Sequence, residues 1–263
     1  MDLENICKQT IKLSRDVGNF INSNLNHISS DIIEVKSKNS FVTFVDKTAE
    51  RQLVEGLSKI LPDAGFITEE KTIDKDGERY NWIIDPLDGT TNYIHGVPPY
   101  SISIGLTDNN EVILGVIIEL CLNECFYAWK GGKAWLNNKI IEVSNIPVLA
   151  ESLLATGFPY CEFSRLEEYI SLFTYLMEES HGLRRLGSAA VDLAYVACGR
   201  FEGFFEYGLN PWDVAAGKII IEEAGGRVTD FSGKNNSLFG EEIVATNKLI
   251  YNEFQKVVEK FML

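Results

Sequence analysis

The chain is 263 residues long and 45% hydrophobic, ample for a substantial core in one large domain or in two closely joined halves. Its formal net charge of −14 argues against non-specific binding to nucleic acid or to an anionic membrane, since both need clustered Lys and Arg. Cys7, Cys121, Cys125, Cys161 and Cys198 form no C-x-x-C pair, and His27, His95 and His181 are scattered, which argues against a disulfide framework and a zinc site and for a reducing, cytoplasmic setting. No apolar run approaches the roughly 18 residues needed to span a bilayer. Met1-Asp2-Leu3-Glu4-Asn5 lacks the charged and apolar regions of a signal peptide.

Residues 2 to about 29 place Leu3, Ile6, Thr10, Leu13, Val17, Phe20 and Ile21 on one face, predicting an amphipathic packing helix. Ile32 to Phe44 alternates into two strand-like pieces around Lys36-Ser37-Lys38-Asn39-Ser40, a solvated loop or a mobile one over a site. Phe41 to Glu50 opens a helix that runs to about Ile60 and stops before Pro62. Asp46 suits either the N-cap of that helix or a supporting place near a loosely held metal. Phe66 and Ile67 read as a short strand with Glu69 and Glu70 past its end, an acidic pair that is ordinarily a solvated face. Lys71 to Glu78 is a polar surface loop.

Tyr80 to Ile84 is an apolar run, read as a buried strand that breaks at Asp85-Pro86, because proline has no N–H for the ladder. Asp85 and Asp88 follow at i and i+3, then Gly89, Thr90, Thr91 and Asn92. Two acids that close repel each other. A hard divalent cation such as Mg²⁺ resolves the conflict, and N–H groups around Gly89 and Thr90 could hold an anion beside it. The competing reading is a strand end with Asp88-Gly89 as turn chemistry.

Val97-Pro98-Pro99-Tyr100 is a rigid turn. Ser101 to Leu106, Glu111 to Leu120, Glu124 to Trp129 and Ala134 to Val143 form antiparallel strands that look like scaffold. Ser144 to Glu151 marks a division within residues 1–263, between a half at 1–145 and a half at 146–263. A strand at Leu153 to Phe158 is followed by a helix from Arg165 to Glu179 with Leu166, Ile170, Phe173 and Met177 on one face. A helix starts at Ser188, Gly203 to Tyr207 is a strand, and a helix opens at Asn210 and stops at Gly225-Gly226. Strands at Arg227 to Asp230 and Ile243 to Asn247 precede a closing helix over 248–261. Asp213 alone reads as helix N-cap chemistry.

The string Trp82-Ile83-Ile84-Asp85-Pro86-Leu87-Asp88-Gly89-Thr90-Thr91-Asn92 resembles the first signature of the inositol monophosphatase family, the Mg²⁺-dependent, lithium-sensitive phosphomonoesterases. Trp212-Asp213-Val214-Ala215-Ala216-Gly217 with Glu223 to Gly226 resembles the second. The resemblance covers nearly the whole chain and takes in Glu69-Glu70, Arg184 to Ala190 and Phe204-Phe205-Glu206. Two departures stand out. Ser40-Phe41-Val42-Thr43 lacks the first Asp of the family's D-L-V-T-x-x-D pattern, with Asp46 retained, and Thr68 replaces the glycine before the acidic pair.

Where periodicity supports only a mixed α/β protein, the resemblance implies a single layered α-β-α-β-α sandwich, and a homodimer. It implies two Mg²⁺, with a third held weakly: Glu69, Asp85 and the Leu87 carbonyl around the first, and Asp85, Asp88 and Asp213 around the second. Glu69 and Thr90 would orient and deprotonate the attacking water beside Asp88. N–H groups of Gly89 and Thr90 would receive phosphate oxygens, with Asp88 and Asp213 bordering the substrate. Glu206 and Ala189 match residues that contact the hydroxyls of a sugar alcohol. Arg184 matches a position near the substrate or the dimer contact, or else makes a surface salt bridge. The implied reaction is hydrolysis of myo-inositol 1-phosphate. Fructose 1,6-bisphosphate, histidinol phosphate and a 3′-phosphorylated nucleotide are alternatives within the chemistry. A reading of another class is a binding partner of the transcription machinery, without direct contact to RNA or DNA.

Overall fold

The computed structural model describes residues 1–25, 33–37, 40–159 and 163–263. The chain stacks in five layers. The first is a helical pair, α1 (Leu3–Asn24) and α2 (Phe44–Ile60), with a small hairpin of β1 (Ile33–Ser37) and β2 (Ser40–Thr43) between them in sequence. Next comes a seven-stranded sheet in sequence order: β3 (Gly65–Thr68), β4 (Tyr80–Asp88), β5 (Ser101–Asp108), β6 (Glu111–Glu119), β7 (Glu124–Trp129), β8 (Ala134–Leu136) and β9 (Lys139–Ile141). Between β4 and β5 lies the short helix α3 (Thr90–His95). The central helical layer is α5 (Ala189–Ala197) and α6 (Pro211–Glu223). A five-stranded sheet follows, ordered β11 (Gly182–Arg184), β10 (Leu153–Thr156), β12 (Gly203–Tyr207), β14 (Glu242–Thr246), β13 (Arg227–Thr229), with α4 (Leu166–Glu179) and α7 (Tyr251–Met262) on its outer face.

Three apolar cores separate the layers, and strand alternation assigns side chains to them. In β4, Trp82 and Ile84 face α1 and α2, while Ile83 faces the central helices. In β12, Phe204 faces the central helices and Phe205 the outer pair. In β3, Phe66 faces α1 and α2, and Ile67 packs toward the central helices.

The structure corrects several expectations. The strand does not break at Asp85-Pro86: β4 runs to Asp88, and its ladder with β5 jumps from Asp85↔Ser103 to Asp88↔Ser101. One extra residue is accommodated there, so Pro86 sits in a bulge where no ladder N–H is required. Asp46 is not a cap but the third residue of α2, fully buried. The predicted face of α4 is the wrong one. Tyr169, Leu172 and Leu176 are buried, whereas Leu166, Ile170 and Met177 are 37%, 48% and 52% exposed. Strand β11 was not foreseen; it adds to the edge of β10 in parallel. α1 ends at Asn24, and the predicted extension toward residue 29 lies outside the described residues, as do Lys38 and the side chain of Lys36.

The central layer sits close on the large sheet because two glycines leave it room. Gly105 and Gly115 are cross-strand partners on β5 and β6. A Cβ at Gly115 would lie 2.6 Å from the Ala216 carbonyl oxygen, and one at Gly105 would lie 2.8 Å from the Ala215 Cβ. Alanine in a strand ordinarily gains about 0.5–1 kcal/mol over glycine. Here the neighbour is helix backbone, so overpacking of about 1–3 kcal/mol outweighs that gain. Gly115→Ala is therefore expected to lower the urea midpoint of unfolding; an unchanged or raised midpoint would show that α6 is not seated on that contact.

Candidate active site

Alternation carries acids into the space between the large sheet and the central helices. Ile67 and Ile83 are parallel partners and Thr68 pairs with Ile84, so Glu69 continues β3 opposite Asp85, and both follow inward-facing residues by two. The Glu69 N–H donates to the Ile84 carbonyl at 3.3 Å, which extends the ladder by one step. Across the helices, Glu206 follows Phe204 by two on β12 and faces the same space. Glu69, Asp85, Leu87, Asp88, Gly89, Thr90, Ala189, Glu206 and Asp213 all line one cavity of about 390 Å³.

Asp85, Asp88 and Asp213 form its tightest cluster, offering carboxylate oxygens within 4.8 Å of one another. Each is held by donors from a different element. Asp85 Oδ1 accepts the Leu87 N–H at 2.9 Å across the bulge. Asp88 Oδ2 accepts the Ser188 hydroxyl at 2.6 Å and the Ala190 N–H at 2.8 Å, so it occupies the N-terminus of α5, where helix dipole and free N–H groups favour an anion. Asp213 closes a capping box at the start of α6, its Oδ2 accepting the Asn210 N–H at 2.7 Å. The Trp212 carbonyl is tied to the Ser103 hydroxyl at 3.2 Å, and Ser103 is the ladder partner of Asp85. Asp213 thus caps its helix and lines the cavity at once.

The carboxyls resist ionisation together. Asp85 is pushed well above the usual carboxylate range by burial and then by Glu69, Asp88 and Asp213. Burial, then Asp88, raises Asp213 in the same way. Asp88 is pushed up to about 6 by burial, although the Ser188 and Ala190 bonds pull it down. Among the described residues no lysine or arginine forms a salt bridge with any of these three. An all-oxygen set of this kind, short of positive charge, fits a hard divalent cation.

Beside the cluster, the Thr90 hydroxyl is 3.0 Å from Asp46 Oδ1 and 2.9 Å from the Leu87 carbonyl. Gly89, at φ 87, makes the left-handed turn into α3 that sets this geometry. The same cavity holds residues that sequence reasoning missed. Asp192 on α5 is buried, its Oδ1 lacks a hydrogen bond, and its carboxyl is raised by burial and by Glu206. Burial and then Asp213 push the Glu206 carboxyl well above the usual carboxylate range; Arg185, which also lines the cavity with its guanidinium 5.4 Å from the Phe158 ring, offsets part of the rise at Glu206 and Asp192. Arg184, the expected arginine, lies outside the cavity lining: it is exposed, with Nη1 bonded to the Leu183 carbonyl. Gly157 touches the site by what it lacks, since a Cβ there would fall 1.9 Å from the Glu206 carboxylate.

A layered α/β sandwich with a cation-suited acid cluster, built from β4 and the start of α6, defines a candidate metal-dependent protein. The chain matches the model of the inositol monophosphatase family over residues 2–262, and it belongs to that family. It is 41% identical to a fructose-1,6-bisphosphatase/inositol-1-monophosphatase of Thermotoga maritima, covering 95% of this chain and 94% of that protein. It is 40% identical to the Nus factor SuhB of Escherichia coli K12, covering 90% and 89%. The crystal structure of the extragenic suppressor protein suhB of Bartonella henselae superposes with a TM-score of 0.88 at 34% identity, covering 99% of both chains. No helix among the described residues is long and apolar enough to cross a membrane.

The raised carboxyls set a pH dependence. A carboxyl whose pKa is higher in the folded than in the unfolded chain stabilises the fold while protonated and loses that contribution as pH rises through its folded value. For Asp88 the window runs from its ordinary 3.8 to about 6. Metal-free protein is expected to melt at a lower temperature at about pH 7.5 than at about pH 5, and Mg²⁺ to raise the melting temperature more at the higher pH, where it has no protons to displace. Equal Mg²⁺ increments at both pH values would contradict a cation site at these acids.

Proposed function

We propose that this chain is a Mg²⁺-dependent phosphomonoesterase acting on myo-inositol 1-phosphate or a similar polyol phosphate. The observation that carries the reading is one cavity lined both by the Asp85–Asp88–Asp213 cluster and by Glu206. Glu69, Asp85 and the Leu87 carbonyl would hold one ion, and Asp85, Asp88 and Asp213 a second. When bound, such ions offset the charge of the phosphate and the leaving alkoxide and lower the pKa of a water.

The chain's own residues do the rest. The proton of the Thr90 hydroxyl is directed at Asp46 and the Leu87 carbonyl, both acceptors, which leaves the Thr90 lone pairs to take a proton from an attacking water. Asp46 then receives the proton Thr90 gives up. Glu69 orients the same water, and the Gly89 and Thr90 N–H groups receive phosphate oxygens. Ala189 and Glu206 meet the alcohol, with Glu206 accepting from its hydroxyls. Apart from the proposed ligands, the cavity is lined by the carboxyls of Glu206 and Asp192, with Arg185 as its cation. That balance favours a neutral polyol over a second phosphate, and so favours inositol 1-phosphate over fructose 1,6-bisphosphate or a bisphosphorylated nucleotide.

Phosphate release from inositol 1-phosphate, fructose 1,6-bisphosphate, histidinol phosphate and a 3′,5′-bisphosphate nucleotide tests the reading, with Mg²⁺, with EDTA, and with Mg²⁺ plus Li⁺. Release should concentrate on inositol 1-phosphate, vanish in EDTA and fall with Li⁺. Asp88→Asn should lower turnover by about a hundredfold or more with the fold intact. Near-wild-type turnover in that variant would sink the assignment.

A cytoplasmic homodimer belongs to the same proposal, and the misassigned face of α4 favours it. Leu166, Ile170 and Met177 expose apolar surface, and nearby Phe158 packs its ring 6.1 Å from Phe173. A second reading, a partner in the transcription machinery, draws on the Nus factor relative and could use this face or another. Sedimentation of wild type and Ile170→Glu separates them: a dimer that the substitution dissociates supports the first. A wild-type monomer that retains RNA polymerase on a column supports the second.

A further inference from the structure

Helix α2 carries a second buried acid, one turn beyond Asp46. Glu50 is fully buried, and both its oxygens are committed to backbone N–H groups of the segment after β3. Oε2 accepts from Glu70 at 2.7 Å and Oε1 from Thr72 at 2.8 Å. Those two donors flank Lys71, whose φ of 52° lies in the left-handed region that disfavours a side chain. Lys71 lies two residues after Glu69.

Glu69 is therefore gripped from both sides. On one, its own N–H extends the β3–β4 ladder to the Ile84 carbonyl. On the other, the Glu50 carboxylate clamps the next N–H and the one after the strained residue. An isolated carboxylate is costly in a core, and one charged acceptor with two oxygens at this spacing is what two converging N–H groups require. Released from Glu50, the Lys71 backbone has every reason to leave the left-handed region, which swings the end of β3 and the Glu69 side chain with it.

We infer that Glu50 is a positioning residue: it acts through the 69–72 segment to set the Glu69 carboxylate against Asp85, and so sets the affinity of the cation position those two share. The inference rests on the proposed cation-dependent reading. With Asp46 four residues earlier on the same helix face, it makes α2 the element that places both Glu69 and Thr90, the two groups on either side of the attacking water.

The test is calorimetric titration of Mg²⁺ into EDTA-stripped full-length wild type, Glu50→Gln and Glu50→Asp, with Mg²⁺-dependence of phosphate release measured in parallel. Gln keeps the shape but presents an NH₂ group to one of the two N–H donors. Asp keeps the charge but is too short to span both. Both variants should bind Mg²⁺ at least tenfold more weakly at one position, with the other unchanged. The Mg²⁺ concentration for half-maximal release should rise in step, kcat should fall, and KM should hold. Wild-type Mg²⁺ binding in a folded variant, even one with a lowered melting temperature in EDTA, would overturn the inference and reduce Glu50 to a structural acid; should Glu50→Gln fail to fold, Glu50→Asp is read by the same criterion. Failure of wild type itself to bind Mg²⁺ would instead overturn the proposed function.

Discussion

The rest of the structure is arranged around the mutual repulsion of carboxylates at the strand ends. Two unit charges about 4 Å apart cost about 4 kcal/mol at an effective dielectric near 20, and a whole domain is stable by only about 5–15 kcal/mol. Asp85, Asp88 and Asp213 bring oxygens within 4.8 Å of each other. Such a cluster folds only with its protons retained, with donors supplied, or with a cation. The raised carboxyls favour the first, and Ser188, Ala190 and Asn210, each donating to one acid, supply the second. The donors leave much of the charge uncompensated, which is what a cation-dependent site needs. A fully satisfied cluster would bind nothing.

The layering makes the convergence possible. Each acid is the next inward-facing residue after an apolar one: Ile67 then Glu69, Ile83 then Asp85, Phe204 then Glu206. The strands that carry apolar side chains into the core thus carry acids to its rim, without any change of pleat. The central helices supply the complement, because their N-termini point at the same rim. Asp88 rests on the start of α5 and Asp213 closes the start of α6. This works only if the helices lie close on the sheet, and the Gly105–Gly115 pair opposite Ala215 and Ala216 lets them.

Much of this was legible in the sequence, for a physical reason. Strand alternation and helix caps are local, so most strands and the starts of α5 and α6 could be read from spacing, although β4 runs past its predicted break; Asp85 and Asp88 stood out as a close acid pair, whereas Glu69, Glu206 and Asp213 were singled out only by the family resemblance. What failed depended on tertiary context. α4 has two apolar stripes, and spacing cannot tell which one meets the small sheet; Tyr169 wins because its ring packs on Phe205 and Tyr207. Arg184 and Arg185 are adjacent, and only the β11 edge pairing turns one outward and leaves the other on the cavity wall. Asp46 looked like a cap because caps are the commonest use of Asp at a helix start, and its partner Thr90 is 44 residues away. Asp192 sits in an apolar helical run where nothing in the sequence marks it. Gly157 could have been noticed as a glycine at a strand end, but its reason is the Glu206 carboxylate, on another strand.

The Asp cluster and the Glu206 surroundings carry different charge problems, and on the proposed reading that difference orients the ester. At the Asp cluster the acids are close enough to demand cations, and cations draw the phosphate. Around Glu206, burial and Asp213 hold the carboxyl well above its usual range, one arginine offsets part of that, and a Cβ at Gly157 would fall 1.9 Å from the Glu206 carboxylate. A phosphate placed there would face Glu206 and Asp192 with Arg185 alone to offset them, whereas a ring of hydroxyls would find acceptors. Orientation then follows from electrostatics before any detailed fit: the ester can sit productively one way round, and the reversed pose leaves the phosphate with Arg185 alone for a cation. A substrate with phosphate at both ends meets that penalty however it turns, and this is the physical ground on which a singly phosphorylated polyol is the better match for this chain.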